Sequence, residues 1–257
     1  MSFAKIPDIY SNFCWNNDKN PGGECGNYKK EGDCWNREHG WPKSWWGGFS
    51  KGQGAQTDLH ELWAADGYVN NLRGNLPLGE VSSPTYTSTN GAKVGPCSSD
   101  GATGNCFEIS DEYKGDIARS YFYIATTYMD KFDCCDTVGV NGSHIKPWME
   151  KVLRKWHDAD PVSDLEKQFN DAVFGIQANR SPFIDNPDWV KKIPEVDLVY
   201  YDPPYNKHPY SIYFFMLDVI NDWKTDEEIP DTNRGQPKNW YKSKYNSFTH
   251  AKKAFED

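Results

Sequence analysis

Residues 34–46 constrain the fold of this chain more than any other stretch. They read Cys-Trp-Asn-Arg-Glu-His-Gly-Trp-Pro-Lys-Ser-Trp-Trp. The pattern predicts a short strand that carries Glu38 and His39, followed by a bend, because proline cannot donate to a strand ladder. Glu38 is an oxygen ligand suited to a divalent cation, and His39 has an ordinary pKa suited to a general base near neutral pH. Taken alone, a Glu-His pair more often marks a buried strand end with an incidental histidine.

Composition limits the classes of protein that can contain this strand. The chain has 257 residues, a net charge of -9 and 15% aromatic residues. The aromatic content can build a core despite a mean hydropathy of -0.82. An acidic chain argues against a generally basic nucleic-acid coat. It still allows an enzyme that holds phosphate with a metal ion and a few local cations.

The cysteines indicate disulfides. The chain has seven of them, at positions 14, 25, 34, 97, 106, 134 and 135. None forms the Cys-x-x-Cys pattern of a zinc ribbon, so disulfides in an oxidising compartment are the better interpretation. Cys97 and Cys106 bracket a Gly/Ser-rich loop and are a candidate pair. The adjacent Cys134 and Cys135 are expected to pair with different partners, and the odd count leaves one thiol over.

We therefore expect a secreted or periplasmic protein. Residues 1–6 lack the apolar segment of a signal peptide, so the signal of such a protein would lie outside this sequence. No apolar run is long enough to span a membrane, and we expect no membrane partner.

Periodicity and capping signals predict a mainly helical chain. Residues 117–132 and 147–156 have helical apolar spacing. Ser163 and Glu166 form a capping box that opens a helix running to about residue 178. Residues 66–75 predict a short helix closed by Gly74. Residues 79–106 are Ser/Thr/Gly-rich and predict loops with at most one hairpin.

Three polar groups converge on the opening stretch. They are Glu38-His39, the Asp58-Leu59-His60 segment, and the Asn70-Asn71 pair on the predicted short helix. A base on a strand, with amide and carboxylate oxygens around it, suits a hard cation such as Mg²⁺ or Ca²⁺.

In this arrangement the sequence resembles the bacterial endonuclease I family, the secreted and periplasmic His-Me finger (ββα-metal) nucleases. The resemblance runs from about residue 8 to residue 193 and is specific because several motifs occur in order. The matching segments are 34–39, 41–45, 58–75, 90–95, 111–119 and 172–185. The family usually carries a further segment before residue 8, so we expect that the chain begins late. It often has a histidine where this chain has Glu61.

The resemblance implies a fold and a metal site. The fold is α+β, a mainly helical domain at residues 1–193 around a ββα-metal (His-Me finger) core. His39 matches the general base, and Glu38 and Asn70 match the metal ligands. The implied cation is Mg²⁺, with Ca²⁺ or Mn²⁺ as alternatives.

The resemblance also implies phosphate-binding and substrate-binding residues. An arginine is expected to clamp the phosphate, and Arg119, Arg180 and Arg73 are candidates, although any one such arginine is more often a surface ion-pair partner. Asn75 and Asn179 are candidate substrate-binding residues. The implied activity is sequence-nonspecific, metal-dependent endonucleolytic cleavage of DNA, with RNA as a second substrate, by a monomer.

Residues 194–257 form a different segment. They predict a strand and a helix around Asp202, Pro203, Pro204 and Tyr205, a motif that resembles the base-recognition motif of Dam-like DNA adenine methyltransferases. The alternative function is therefore methyl transfer from S-adenosylmethionine. The chain has no Gly-rich loop after a strand to hold that cofactor, so we expect an incomplete and inactive fragment. A catalytically inactive nucleic-acid-binding module is the third alternative.

Overall fold

A computed structural model describes residues 6–15, 24, 26–46, 54–129, 131–132 and 135–193. These residues form helices and small antiparallel sheets, which confirms the predicted α+β class. The helices are α1 (Gly67–Arg73), α2 (Lys114–Thr127), α3 (Pro147–Ala159), α4 (Asp164–Gln177) and α5 (Pro182–Asp185). The strands are β1 (Ile6–Pro7), β2 (Cys14–Trp15), β3 (Trp35–His39), β4 (Leu62–Asp66), β5 (Tyr86–Thr87), β6 (Lys93–Pro96), β7 (Asn105–Glu108), β8 (Val140–Asn141) and β9 (His144–Ile145).

Strands β3 and β4 and helix α1 form a strand–strand–helix unit. β3 pairs with β4 in antiparallel register from Trp35 opposite Asp66 to His39 opposite Leu62. The chain passes directly from β4 into α1, which packs on both strands. The predicted strand in the opening stretch is thereby confirmed, and it ends at His39.

Helix α1 has a well-defined beginning and end. The Asp66 side chain accepts hydrogen bonds from the backbone N–H groups of Tyr68 (2.9 Å) and Val69 (3.0 Å), two donors that have no partner inside the helix. The helix ends at Gly74, whose φ of 52° favours glycine. The predicted helix closed by Gly74 is confirmed.

A second sheet corrects the expectation of at most one hairpin in residues 79–106. Strands β5, β6 and β7 form a three-stranded antiparallel sheet. Phe107 of β7 is fully buried and Val94 of β6 is nearly so. Because the strands are short, their formation depends on this packing more than on local pattern. The predicted disulfide between Cys97 and Cys106 is confirmed, while Cys14 is an exposed free thiol.

The core is built around helix α2, which packs against α3. Ile117, Tyr121 and Ile124 are buried, as the helical spacing predicted. α2 begins three residues earlier than predicted, at Lys114, directly after a short 3-10 helix at Asp111–Tyr113, and it ends at Thr127 instead of at residue 132. The capping box of α4 is confirmed, and α4 ends where it was expected to. Within the part of the chain that the structure describes, no helix has the length and apolar composition of a membrane span.

Candidate active site

Glu38 is a buried carboxylate at the centre of the strand–strand–helix unit. Its Oε1 accepts hydrogen bonds from the Tyr10 hydroxyl (3.0 Å) and from Nη1 of Arg73 (2.6 Å). The residue is only 3% exposed. Burial raises the pKa of Glu38 to about 7, against the opposing effects of Arg73 and Tyr10. A further positive charge at this carboxylate would therefore favour its ionised form.

Asn70, the second candidate metal ligand, contacts Glu38. Helix α1 positions the Asn70 side chain, which donates to Oδ1 of Asn36 (2.6 Å) and hydrogen-bonds the Glu38 carboxylate. Asn36 and Glu38 occupy alternate positions of β3 and so share the face on which α1 lies.

This pair of oxygen-bearing side chains fits a hard divalent cation. Among the described residues, no three His, Cys, Asp or Glu side chains cluster as a metal site. Mg²⁺ does not need such a cluster, because it is commonly bound through one or two carboxylates and keeps several waters. The hydrogen bonds that Tyr10 and Arg73 donate to Glu38 both end on Oε1. A carboxylate has about four lone-pair sites, so these two bonds do not fill them. The donor set is thus compatible with a hydrated cation held by Glu38 and Asn70.

His39 is held by a backbone carbonyl. Its Nε2 lies 3.0 Å from the carbonyl oxygen of Gln56, in the short 3-10 turn Ala55–Thr57. A carbonyl can only accept, so Nε2 carries the proton and Nδ1 of the neutral ring has its lone pair available. Nδ1 is itself buried, and within the described residues it has no hydrogen-bond partner. Burial lowers the pKa of His39, which keeps the ring neutral near physiological pH.

Two cations near His39 were missed in the sequence. The charge of Lys43, an exposed residue, acts on both Glu38 and His39 and lowers the pKa of each. Arg37 lies on the same face of β3 as His39 and also lowers the pKa of His39. Its side chain is 67% exposed and forms an ion pair with Glu24 at 2.7 Å. Strand alternation was the signal that could have identified Arg37, since it stands two residues before His39.

The structure places Arg73 next to the candidate metal ligands but fully buried. Besides Glu38, its guanidinium donates to the carbonyl oxygen of Gly40 (2.6 Å) and to the Tyr121 hydroxyl (3.2 Å). Its exposed fraction is 1%. The group links α1, α2 and the end of β3, and every contact described for it is within the protein.

Arg119 lies in a separate buried cluster. Its Nε and Nη2 bond the two oxygens of Glu166, each at 2.7 Å, and Nη2 also bonds Asp116 at 3.0 Å. Nη1 donates to the carbonyl oxygen of Asp160 (2.8 Å). None of these partners contacts Glu38, His39 or Asn70 in the described structure.

Asn179 and Arg180 are neighbours in the loop between α4 and α5, whereas Asn75 lies just after α1. Arg180 is half-exposed and forms ion pairs with Asp171 and Asp185, each at 2.8 Å. The Asn179 side chain donates to the Tyr123 hydroxyl (2.5 Å). Asn75 is exposed, with the Ser44 hydroxyl at 3.5 Å from its side-chain nitrogen.

Comparison with known proteins now adds to this geometry. The sequence model of the Endonuclease I family matches residues 3–188. This chain belongs to the Endonuclease I family. The match covers the strand–strand–helix unit and ends before the Asp-Pro-Pro-Tyr motif at 202–205, which lies outside the residues that the structure describes.

Curated relatives are similar to part of this chain. The chain is 37% identical over 164 residues to an extracellular ribonuclease of Bacillus amyloliquefaciens, which covers 62% of this chain and 53% of that protein. It is 36% identical over 165 residues to an extracellular ribonuclease of Bacillus subtilis (strain 168), covering 62% and 54%. It is 26% identical over 133 residues to Endonuclease-1 of Buchnera aphidicola subsp. Baizongia pistaciae (strain Bp), covering 51% and 47%. The chain therefore spans about half the length of these relatives.

Proposed function

We propose that this chain is a metal-dependent endonuclease that hydrolyses phosphodiester bonds of nucleic acids. The observation that carries the proposal is His39 at the end of β3, held through Nε2 and with no described hydrogen-bond partner at Nδ1, directly after the buried Glu38 that contacts Asn70. Family membership and the nuclease names of the relatives support it. The strand–strand–helix unit is the part that we assign as a His-Me finger.

The cation in this proposal is Mg²⁺, held by Glu38 and Asn70. When bound, it would neutralise negative charge on the phosphate. The raised pKa of Glu38 supports this role, because a buried carboxyl group becomes a good anionic ligand once a cation offsets its desolvation.

His39 is the general base. Its Nδ1 accepts a proton from a water molecule, whose oxygen forms a bond to phosphorus while the bond from phosphorus to O3′ breaks. The leaving oxygen takes a proton from solvent. A His base of this kind contributes about 10²–10⁴-fold to the rate. His39 and Glu38 flank the end of β3 from opposite faces, so a phosphate that lies across this strand end would meet both.

The attacking group is water and not a ribose 2′-hydroxyl, so the same site serves DNA and RNA. Two of the relatives are named extracellular ribonuclease and one Endonuclease-1. We propose cleavage of both nucleic acids without sequence preference, because the cations near His39 would contact phosphates, which carry no sequence information directly.

Exposure separates the candidate phosphate-binding residues. Arg73 and Arg119 are each 1% exposed and paired inside the protein, so we propose structural roles for both. The charge of Lys43 acts on both Glu38 and His39, so Lys43 is the cation that we assign to the substrate phosphate, with Arg37, whose charge acts on His39, as a second. Arg180 remains a candidate for contacts farther along the nucleic acid.

We further propose that the protein acts outside the cytoplasm, as a monomer. The disulfide between Cys97 and Cys106 and the extracellular names of two relatives support this location.

Plasmid and RNA cleavage by the intact chain tests the function. With Mg²⁺ we expect both substrates to be cut, and with EDTA neither. His39→Ala should reduce the cleavage rate by about 10²-fold or more while the circular dichroism spectrum stays unchanged. His144→Ala is the matched control, because His144 is an exposed histidine on β9, and it should cleave normally.

Three results would count against the proposal. Full activity of His39→Ala would remove His39 as the base. Binding of DNA that neither requires metal nor leads to cleavage would favour the inactive nucleic-acid-binding module. Binding of S-adenosylmethionine, measured by calorimetry, would revive the methyltransferase alternative.

A further inference from the structure

His39 is held from two directions. The Gln56 carbonyl oxygen lies at 3.0 Å from Nε2. The edge of the imidazole meets the ring of Trp46, with centroids 5.3 Å apart and planes at 72°. Neither support is a carboxylate, whereas a catalytic histidine in a Ser-His-Asp triad is oriented by a direct bond to the Asp side chain.

The aromatic support continues away from His39 through stacked rings. Trp46 stacks on Phe132, with centroids 6.2 Å apart and planes at 15°. Phe132 in turn stacks on Tyr128, at 5.8 Å and 10°. The Tyr128 hydroxyl donates to Oδ2 of Asp58 at 2.8 Å.

The carbonyl support leads to the same carboxylate. Asp58 directly follows the turn Ala55–Thr57, and its backbone N–H donates to the carbonyl oxygen of Ala55 (3.1 Å). The contacts therefore close a ring, which we call the His39 ring. Its members are His39, Gln56, Asp58, Tyr128, Phe132 and Trp46.

Asp58 anchors this ring to the rest of the fold. The residue is buried, and its Oδ1 accepts from the Gln177 side chain (2.8 Å) and from the backbone N–H of His60 (3.0 Å). Its Oδ2 accepts from the Tyr123 hydroxyl (2.8 Å) as well as from Tyr128. The turn that carries the Gln56 carbonyl is thus fixed to both α2 and the end of α4.

We propose that Asp58 and Tyr128 are positioning residues that set the tautomer and orientation of His39. The inference deepens the proposed function, since it assumes that His39 is the general base. In a triad the carboxylate orients the histidine directly, whereas Asp58 orients the backbone turn that holds the histidine. It fixes the acceptor that faces Nε2, and so keeps the proton on Nε2 and the lone pair on Nδ1.

Tyr128→Phe is the sharpest test, because it removes the hydroxyl and keeps the ring that stacks on Phe132. We expect kcat to fall about 10-fold or more, since a small misplacement of a catalytic group is costly. KM for the nucleic acid should stay unchanged, because Tyr128 is not assigned to the substrate. The nitrogen chemical shifts of His39, measured by NMR where the ring is neutral, should show a larger share of the tautomer protonated on Nδ1.

Tyr86→Phe is the matched control. It also removes a tyrosine hydroxyl bonded to a carboxylate, here Glu31 at 2.7 Å, and the ring contact described for it is with Tyr68 and not with the His39 ring. Its kcat and the His39 nitrogen shifts should equal those of the wild type. Asp58→Asn, which turns one acceptor into a donor that faces donors, should reproduce and exceed the effect of Tyr128→Phe.

The proposal is overturned if Tyr128→Phe has the wild-type tautomer share, or if its loss of rate lies in KM alone. These outcomes differ from a failure of the proposed function, in which the wild type does not cleave or His39→Ala cleaves fully. The tautomer measurement needs no activity and still decides whether Asp58 and Tyr128 position His39.

Discussion

Two buried arginine–glutamate pairs in this protein look alike and are built differently. One joins Arg73 to Glu38, and the other joins Arg119 to Glu166. Both arginines are 1% exposed, and both glutamates are buried. Each pair links segments far apart in the sequence.

The pairs differ in how the hydrogen-bonding capacity of each glutamate is used. Glu166 bonds Arg119 through both oxygens and also accepts from the backbone N–H of Ser163 at 3.0 Å. Glu38 meets Arg73 through one oxygen, contacts Asn70, and directly precedes His39, whose Nδ1 has no partner within the described residues. Burial and charge alone therefore do not distinguish the two pairs, whereas the unpaired polar atom beside Glu38 does.

The largest expected effects come from replacing each glutamate. Glu38→Gln and Glu166→Gln should both destabilise the fold by about 3–5 kcal/mol, because each removes a buried carboxylate that is paired with a buried arginine. Only Glu38→Gln should also reduce kcat, by about 10²-fold or more, since a bound cation contributes several kcal/mol to such a reaction. Denaturant midpoints and cleavage rates at a temperature where both variants are folded measure the two effects. An equal loss of kcat in Glu166→Gln would abolish the distinction.

Two asparagines give the next contrast. Asn70→Ala should raise the Mg²⁺ concentration needed for half-maximal cleavage, by about 10-fold, as expected when a contact at a metal site is removed. Asn170 is fully buried in α4, and its side chain accepts from the backbone N–H of Ser181 at 2.8 Å. Asn170→Ala should lower stability by about 1–3 kcal/mol because a buried donor loses its partner. A Mg²⁺ titration that shifts in Asn170→Ala but not in Asn70→Ala would reverse the assignment.

The smallest effects concern pH and two histidines. Burial lowers the pKa of His39, so kcat/KM should rise with pH through a value below the ordinary 6.5 and then level off, because the base acts in its neutral form. Burial and Arg119 also lower the pKa of His157. The stability linked to the neutral His157 is present above the pKa that His157 has in the unfolded state. It is lost as pH falls, because the unfolded state binds the proton more readily.

His157→Gln should therefore weaken the acid dependence of unfolding and leave the acidic limb of kcat/KM in place. A pH–rate profile and thermal unfolding at several pH values measure both. If His157→Gln lost the acidic limb of kcat/KM, that limb would reflect titration in the Arg119 cluster and not titration of His39.

The sequence predicted those features that depend on nearby residues. Gly74 and the Ser163–Glu166 capping box each act within a single helical turn, and both lie where expected. The proximity of Glu38 and Asn70 followed from the family resemblance. The three-stranded sheet was missed because its short strands depend on packing against distant residues.

The support of His39 could not have been predicted from residue types. Its partner is the backbone carbonyl of Gln56, and any residue at that position has a carbonyl. The candidate clamp Arg119 was chosen by motif, and its bonds to Glu166 span 47 positions in the sequence. Such long-range pairing has no local signal, so sequence alone could not distinguish an arginine open to substrate from one closed inside the protein.

Glu166 serves two structural purposes at once. The same carboxylate that completes the capping box of α4 also receives Arg119 from α2. The first turn of a helix usually frays and exchanges its amide hydrogens readily. Here that turn cannot open without breaking a buried ion pair, so the beginning of α4 is expected to share the slow hydrogen exchange of the core.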